Sequence, residues 1–199
     1  MRRVLPALLV VLTAVAACTG GEKTKRGDCS GPPPPIGGGF GAAPAPTAEV
    51  VLRTTSGAIV VATNGAPAAI TFAPQGGFIL LAGVRAAGFD ECVDITAAIR
   101  DPQNANAIVS LEQRPAQLED GGDGWLYPDQ PLELYNWANL FVCETMSRDF
   151  DGGTWTLEIM ADDGASVSTA TASFVGRCAY DDLYCIDTCT VSTAALFAR

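Results

Sequence analysis

Seven cysteines, no histidine and three acidic, glycine-rich stretches bound the chemistry open to this 199-residue chain. Without an imidazole there is no Ser-His or Cys-His pair and no histidine-ligated metal. The two lysines, Lys23 and Lys25, precede the part of the chain able to fold, which removes Schiff-base chemistry and a phosphate-loop lysine from the globular region. Serines without a base have nothing to activate them. The formal charge of −10 repels phosphate backbones, so nucleic acid is not an expected partner. Carboxylate, thiol and aromatic chemistry remain.

From Ala48 onward the chain carries twenty acids against seven arginines. The acids gather in Glu119-Asp120-Gly-Gly-Asp123-Gly, Asp149-Phe-Asp151-Gly-Gly and Asp162-Asp163-Gly. Calcium takes about six to eight oxygens, and such loops supply them if Asp120, Asp123 and Asp151 converge. None has the twelve-residue calcium-loop pattern, and Asp-Gly is equally the chemistry of plain turns. Paired acids across a sugar cleft would hydrolyse glycosides, although nearly every acidic protein has such pairs. Trp125, Tyr127, Tyr135 and Trp137 lie beside the first acidic stretch. Trp125 and Tyr127 are candidate ligand contacts for a sugar or a protein partner; the alternative is packing at the rim of the fold.

Setting Cys18 aside, six cysteines remain: Cys29, Cys92, Cys143, Cys178, Cys185 and Cys189. An even number in an exported chain reads as disulfides. A four-cysteine zinc site is the rival, but Cys178-x6-Cys185-x3-Cys189 is not the paired spacing of zinc ribbons. A helical turn over Asp181–Cys189 would put Cys185 and Cys189 on one face, each bridging to a different partner.

The elements that must position these groups read as strands. Ala58–Thr63 is β-branched and runs into Asn64-Gly65, a hairpin signal. Ile70–Phe72 follows, then a turn at Pro74–Gly77. Phe78–Val84 is apolar on both faces, as a central strand is. In Cys92–Arg100, Val93, Ile95, Ala97 and Ile99 face one way, and Cys92, Asp94, Thr96 and Arg100 the other. Ile108–Leu111 is a short strand closed by Pro115, and Leu132–Met146 is long enough to bend or split. Trp155, Leu157 and Ile159 alternate with polar neighbours, and Val167–Val175 returns after Asp162-Asp163-Gly164. Amphipathic helical periodicity is weak, so the expected class is all-β, an antiparallel β-sandwich.

Residues 1–17 open on Arg2 and Arg3 and continue in an apolar run too short to span a bilayer, the form of a signal peptide. With Val15-Ala16-Ala17-Cys18 the segment resembles the lipobox of bacterial lipoproteins. The resemblance implies that Cys18 is lipidated, palmitate among the acyl chains, and becomes the mature N-terminus. Thr19 in place of Asp favours the outer membrane of a Gram-negative cell envelope. Residues 18–47, with Gly31-Pro-Pro-Pro-Pro35 and Ala43-Pro-Ala-Pro46, are expected to form a disordered tether carrying the domain of residues 48–199 and its cysteine-rich end. Lys23, Lys25 and Arg26 sit near its lipid end; the expected reading is plain soluble linker charge, with contact to anionic head groups as the alternative.

The run from Gly153 through Asp162-Asp163-Gly164 to Val175 is similar to the last hairpin of bacterial immunoglobulin-like domains, which implies an immunoglobulin-like sandwich. No Trp follows Cys92 closely, and Phe141 stands where a corner tyrosine would, so a jelly roll is the alternative. The functional expectation is a lipid-anchored envelope protein displaying a non-catalytic binding or structural module. The membrane is its partner through the lipid, an unknown protein or glycan is its ligand, and it needs no cofactor, with calcium as the one candidate. The alternative is a small carboxylate-dependent enzyme acting on envelope polysaccharide.

Overall fold

The computed structural model describes Cys29 and residues 45–128, 136–144, 146–179 and 182–190. The signal peptide, Cys18, nearly all of the tether and Tyr135 lie outside the described residues. Ten strands and one helix follow in chain order: β1 (Thr47–Arg53), β2 (Ile59–Val61), β3 (Ala66–Phe72), β4 (Phe78–Ala87), β5 (Cys92–Asp101), β6 (Ala107–Asp120), β7 (Leu126–Pro128), β8 (Ala138–Val142), β9 (Thr154–Asp162), β10 (Val167–Arg177) and α1 (Leu183–Cys189).

The all-β reading holds, and the sandwich does not. Neither an immunoglobulin-like sandwich nor a jelly roll forms; seven strands close into a barrel, to which the remaining strands are added. The ring runs β4-β3-β10-β9-β5-β6-β7 and returns to β4 through Ala86 opposite Leu126. One contact of the ring is parallel: β10 pairs β3 from Phe174↔Ala66 to Arg177↔Ala69. The expected last hairpin is present as β9 and β10, joined at Asp162–Val167. It lies inside a closed ring rather than at the edge of one of two sheets. Alternation of apolar and polar residues is the same in both architectures; the pairing of strands distant in sequence decides between them.

Inward residues of every major strand meet in one core. Val50 and Leu52 of β1, Leu80 and Val84 of β4, Ile95 and Ile99 of β5, and Trp155, Leu157 and Ile159 of β9 are all buried. Strand β4 is buried on its other face too. Its outward Ile79 and Leu81 pack with Val51, Ala73 and Trp137 in a second cluster flanked by Ile59 and Val61. Hence its sequence is apolar throughout. Gly83 is part of this outer face: a Cβ there would lie 2.8 Å from Pro128 and 3.0 Å from the Trp137 ring. Strand β6 is longer than its sequence suggests, because Pro115 is accommodated opposite Asp94. A proline lacks only its own N–H, and β6 pairs β7 only from Leu118 onward, so the other edge needs no donor at Pro115. Beside it β8 is tied to β6 through Glu112, which accepts from the Asn139 N–H and pairs with Arg114.

One end of the barrel is filled by the segment between β8 and β9. Phe150 stacks on Trp155 with centroids 5.0 Å apart and meets Phe174 at 6.0 Å. Helix α1 covers this end. Asp182 caps it by accepting from the Cys185 N–H at 2.9 Å, and the Phe150 N–H donates to the Cys189 carbonyl at 2.8 Å. Three disulfides join Cys29 to Cys92, Cys143 to Cys189 and Cys178 to Cys185. As expected, Cys185 and Cys189 bridge to different partners. The exposed Cys92, facing away from the apolar stripe of β5, holds Cys29 outside the barrel.

Peptide mapping under non-reducing conditions is expected to return these three pairs and no Cys92–Cys143 peptide. Cys143 and Cys189 are 46 residues apart and Cys178 and Cys185 only 7. On the chain-entropy argument, removing the long-loop bridge costs about 4 kcal/mol and removing the short one about 2.5 kcal/mol. Denaturant titration of Cys143→Ser/Cys189→Ser against Cys178→Ser/Cys185→Ser checks that order.

Candidate functional site

The acidic loops prove to be turns. Asp120 accepts from Gly122 N–H at 2.8 Å, Asp123 from Trp125 N–H at 3.1 Å, and Asp162 from Gly164 N–H at 2.7 Å. Asp163 accepts from Ala165 and Ser166 N–H, and from Asp90 N–H in the β4–β5 connection. In each case a carboxylate closes its own turn, as short acidic side chains before glycine do. Asp120 and Asp123 share the β6–β7 turn. Asp151 lies elsewhere, bridged to Gly176 beside the helix-covered end and accepting from Cys178 N–H at 2.9 Å. The three carboxylates named for calcium therefore do not converge. Among the described residues, the one trio of potential ligand atoms within 4.8 Å is Cys178, Cys185 and Cys189, whose sulfurs belong to the two adjacent disulfides.

The structure does bring Trp125 and Tyr127 together, through Arg85, with residues distant from them in the chain. A groove of about 440 Å³ lies on the outer face of the barrel, between β2 and the β6–β7 turn. Val51, Ile59, Val61 and Pro128 form its apolar wall; Arg85, Glu119, Asp120 and Tyr127 are its polar lining. Each position follows from strand alternation. Glu49 and Val51 on β1 and Arg85 on β4 are outward residues between inward neighbours, and Glu119 on β6 follows the inward Leu118. Gly121 allows the turn to fold under the tyrosine, since a Cβ there would lie 2.5 Å from the Tyr127 ring.

Arg85 organises the polar side. Its Nε donates to Glu49 Oε2 at 2.7 Å and its Nη1 to the Tyr127 hydroxyl at 3.2 Å, while its guanidinium lies 4.4 Å over the Trp125 ring. The Tyr127 hydroxyl donates onward to Asp123 at 2.7 Å. Burial works against the charge of Arg85, but the bonds to Tyr127 and Glu49 outweigh it and hold its pKa above the ordinary arginine value. Asp123 is held below the usual carboxylate range, first by the Tyr127 hydroxyl and then by the Trp125 N–H. The result is a preset chain Glu49–Arg85–Tyr127–Asp123 along one side of an apolar trough. Trp137, expected among the rim aromatics, is instead fully buried under this face.

A second charged pair is structural. Asp101, 2% exposed, ends β5 and receives Arg148 Nε at 3.0 Å and Gln103 N–H at 2.9 Å. Arg148 also donates to the Thr154 carbonyl and covers the Trp155 ring at 3.7 Å. It pins the segment carrying Phe150 to the barrel. The hydrogen bond from Arg148 holds the Asp101 carboxyl below its ordinary range, against the opposing effect of burial.

The chain matches no protein-family model, and no curated protein matches it.

Because the Asp101 pKa is lower folded than unfolded, its contribution to stability is present above about pH 4, the unfolded value, and is lost as the pH falls through the folded value. Arg148→Met leaves a buried carboxylate unpaired and costs about 3 kcal/mol at neutral pH. It also weakens the acid dependence: Arg148 is the largest cause of the lowered Asp101 pKa, and without it burial opposes only the bond from Gln103 N–H, so acidification costs the variant less stability than the parent. Thermal unfolding from pH 3 to 7 reads both. At the groove, Tyr127→Phe is expected to raise the Asp123 pKa toward the ordinary value, measured by carboxyl carbon NMR titration.

Proposed function

We propose that this is a lipid-anchored protein of the cell envelope whose barrel is a non-catalytic binding module, with the groove between β2 and the β6–β7 turn as its contact face. The observation that carries the reading is where the ordered, non-core side chains are. Among the described residues the inside of the barrel is filled by buried side chains, while the outer face holds aromatic, cationic and apolar groups around one trough. Aromatic rings with an adjacent guanidinium suit a protein or glycan ligand. Among the described residues no helix is long and apolar enough to cross a membrane. Membrane attachment in this reading rests on the lipobox at Cys18.

The disulfide at Cys29 changes the geometry of that attachment. The leash to the lipid does not run from Cys18 to the start of β1. It is fastened to β5 at Cys92, and the eleven residues from Cys18 to Cys29 reach at most about 40 Å. In this reading the groove side of the barrel stays within that reach of the anchoring surface.

Labelling of producing bacteria with tritiated palmitate is expected to mark the parent chain and not Cys18→Ser; an unlabelled parent overturns the anchoring. For the contact face, hydrogen exchange is compared with and without isolated cell-wall sacculi and outer-membrane vesicles. Slowing confined to Ile59–Val61 and Glu119–Pro128 is expected, and unchanged exchange there overturns the groove as the binding face.

A further inference from the structure

We infer that the groove is occupied in cis by the chain's own basic segment Lys23-Thr-Lys25-Arg26. The Cys29–Cys92 bridge is the observation that places it there. Cys92 pairs with Gln117 across the β5–β6 ladder, and Cys29 Sγ lies 3.7 Å from the Ala116 carbonyl. Glu119, which lines the groove, is two residues along β6 from Gln117 and on the same outward face, about 7 Å away. Arg26, Lys25 and Lys23 precede the stapled Cys29 by three, four and six residues, so they reach about 10, 14 and 20 Å from it. The disulfide thus brings three positive charges within reach of the groove.

The groove suits them. Glu119 and Asp120 line the groove, Asp123 belongs to the same turn and Glu91 adjoins Cys92 in sequence, so acids outnumber the one lining arginine, Arg85. Val51, Ile59 and Val61 provide an apolar wall for the methylene stem of a lysine or arginine while its head meets the carboxylates. A single exposed pair of this kind is weak in free solution. Here a linker of three to six residues makes the encounter intramolecular, at an effective concentration in the millimolar range, about. The inference shares its surface with the binding module proposed above. It does not depend on the lipid or on any external ligand, and it gives the module an occupant that an external ligand must displace. It also draws the basic residues onto the barrel and away from head groups.

The chain has only two lysines, both in this segment, which makes zero-length carbodiimide coupling diagnostic. The full chain, purified in detergent under non-reducing conditions, is coupled at low salt and mapped by mass spectrometry. Intramolecular links from Lys23 or Lys25 to Glu91, Glu119 or Asp120 are expected, and 0.5 M salt (roughly a 4 Å screening length) should suppress them. In Cys29→Ser/Cys92→Ser the segment is tethered only through the longer path to β1, and the yield should fall on the order of tenfold. Glu119→Gln/Asp120→Asn, which keeps the staple, should shift or remove the links without altering the fold seen by circular dichroism. Absence of lysine links at low salt, links scattered to distant acids such as Asp162, links between two chains, or a yield indifferent to the loss of the staple would each overturn the inference. Failure of palmitate labelling or of sacculus protection would leave these links unaffected, so the two readings fail separately.

Discussion

Closure of the sheet is the constraint on which the rest depends. Strand β4 pairs with β3 and β1 along one edge and with β8 and β7 along the other. The parallel contact of β10 with β3 completes the circuit. Once the ring is shut, one side of every strand faces a common interior, and Trp155, Phe174 and Phe150 fill its end. The strands outside the ring then have a defined place: β1, β2 and β8 extend β4, and the outward face they make with it is covered by Trp137. The groove is a product of that second layer. Without β2 only Val51 of β1 would be left of the wall opposite the β6–β7 turn.

The disulfides act on different parts of this frame. Two of them hold the C-terminal helix against the barrel end, with Cys185 and Cys189 Sγ 3.8 Å apart and both cysteines buried. They substitute for a long hydrophobic helix face, which a seven-residue helix cannot offer. The third adds nothing to the core. It fixes where the chain arriving from the N-terminus meets the surface, beside Glu91 and Gln117. In that sense the protein has a stapled lid at one end and a fixed point of attachment on its side.

Local features were legible in the sequence because they depend on local physics. The alternation of Val93, Ile95, Ala97 and Ile99 in β5, and of Trp155, Leu157 and Ile159 in β9, predicts their burial correctly. The two-sided apolar character of β4, the exposure of Cys92 and the separate partners of Cys185 and Cys189 were readable for the same reason. What could not be read is long-range. No residue of β3 signals that it will lie parallel to β10, about a hundred residues later, and a sandwich satisfies the same alternation. At the site, Trp125 and Tyr127 stood out as aromatics. Arg85 and Glu49 did not, since an arginine in an apolar strand joins them only after β4, β1 and β7 are neighbours. The three aspartates chosen for calcium misled because turn chemistry and metal chemistry use the same residues; only the bonds to Gly122, Trp125 and Cys178 N–H separate the two.

The parallel contact has a consequence for how the polypeptide comes into being. Chains are made N-terminus first, and among the described strands β10 is the last to emerge. Until residue 177 is free, β3 has no neighbour on the side away from β4, and the nascent sheet stays an open ribbon with a sticky margin. Its half-built form is therefore the vulnerable one, and a chaperone that shields open strand edges has its greatest effect during that interval.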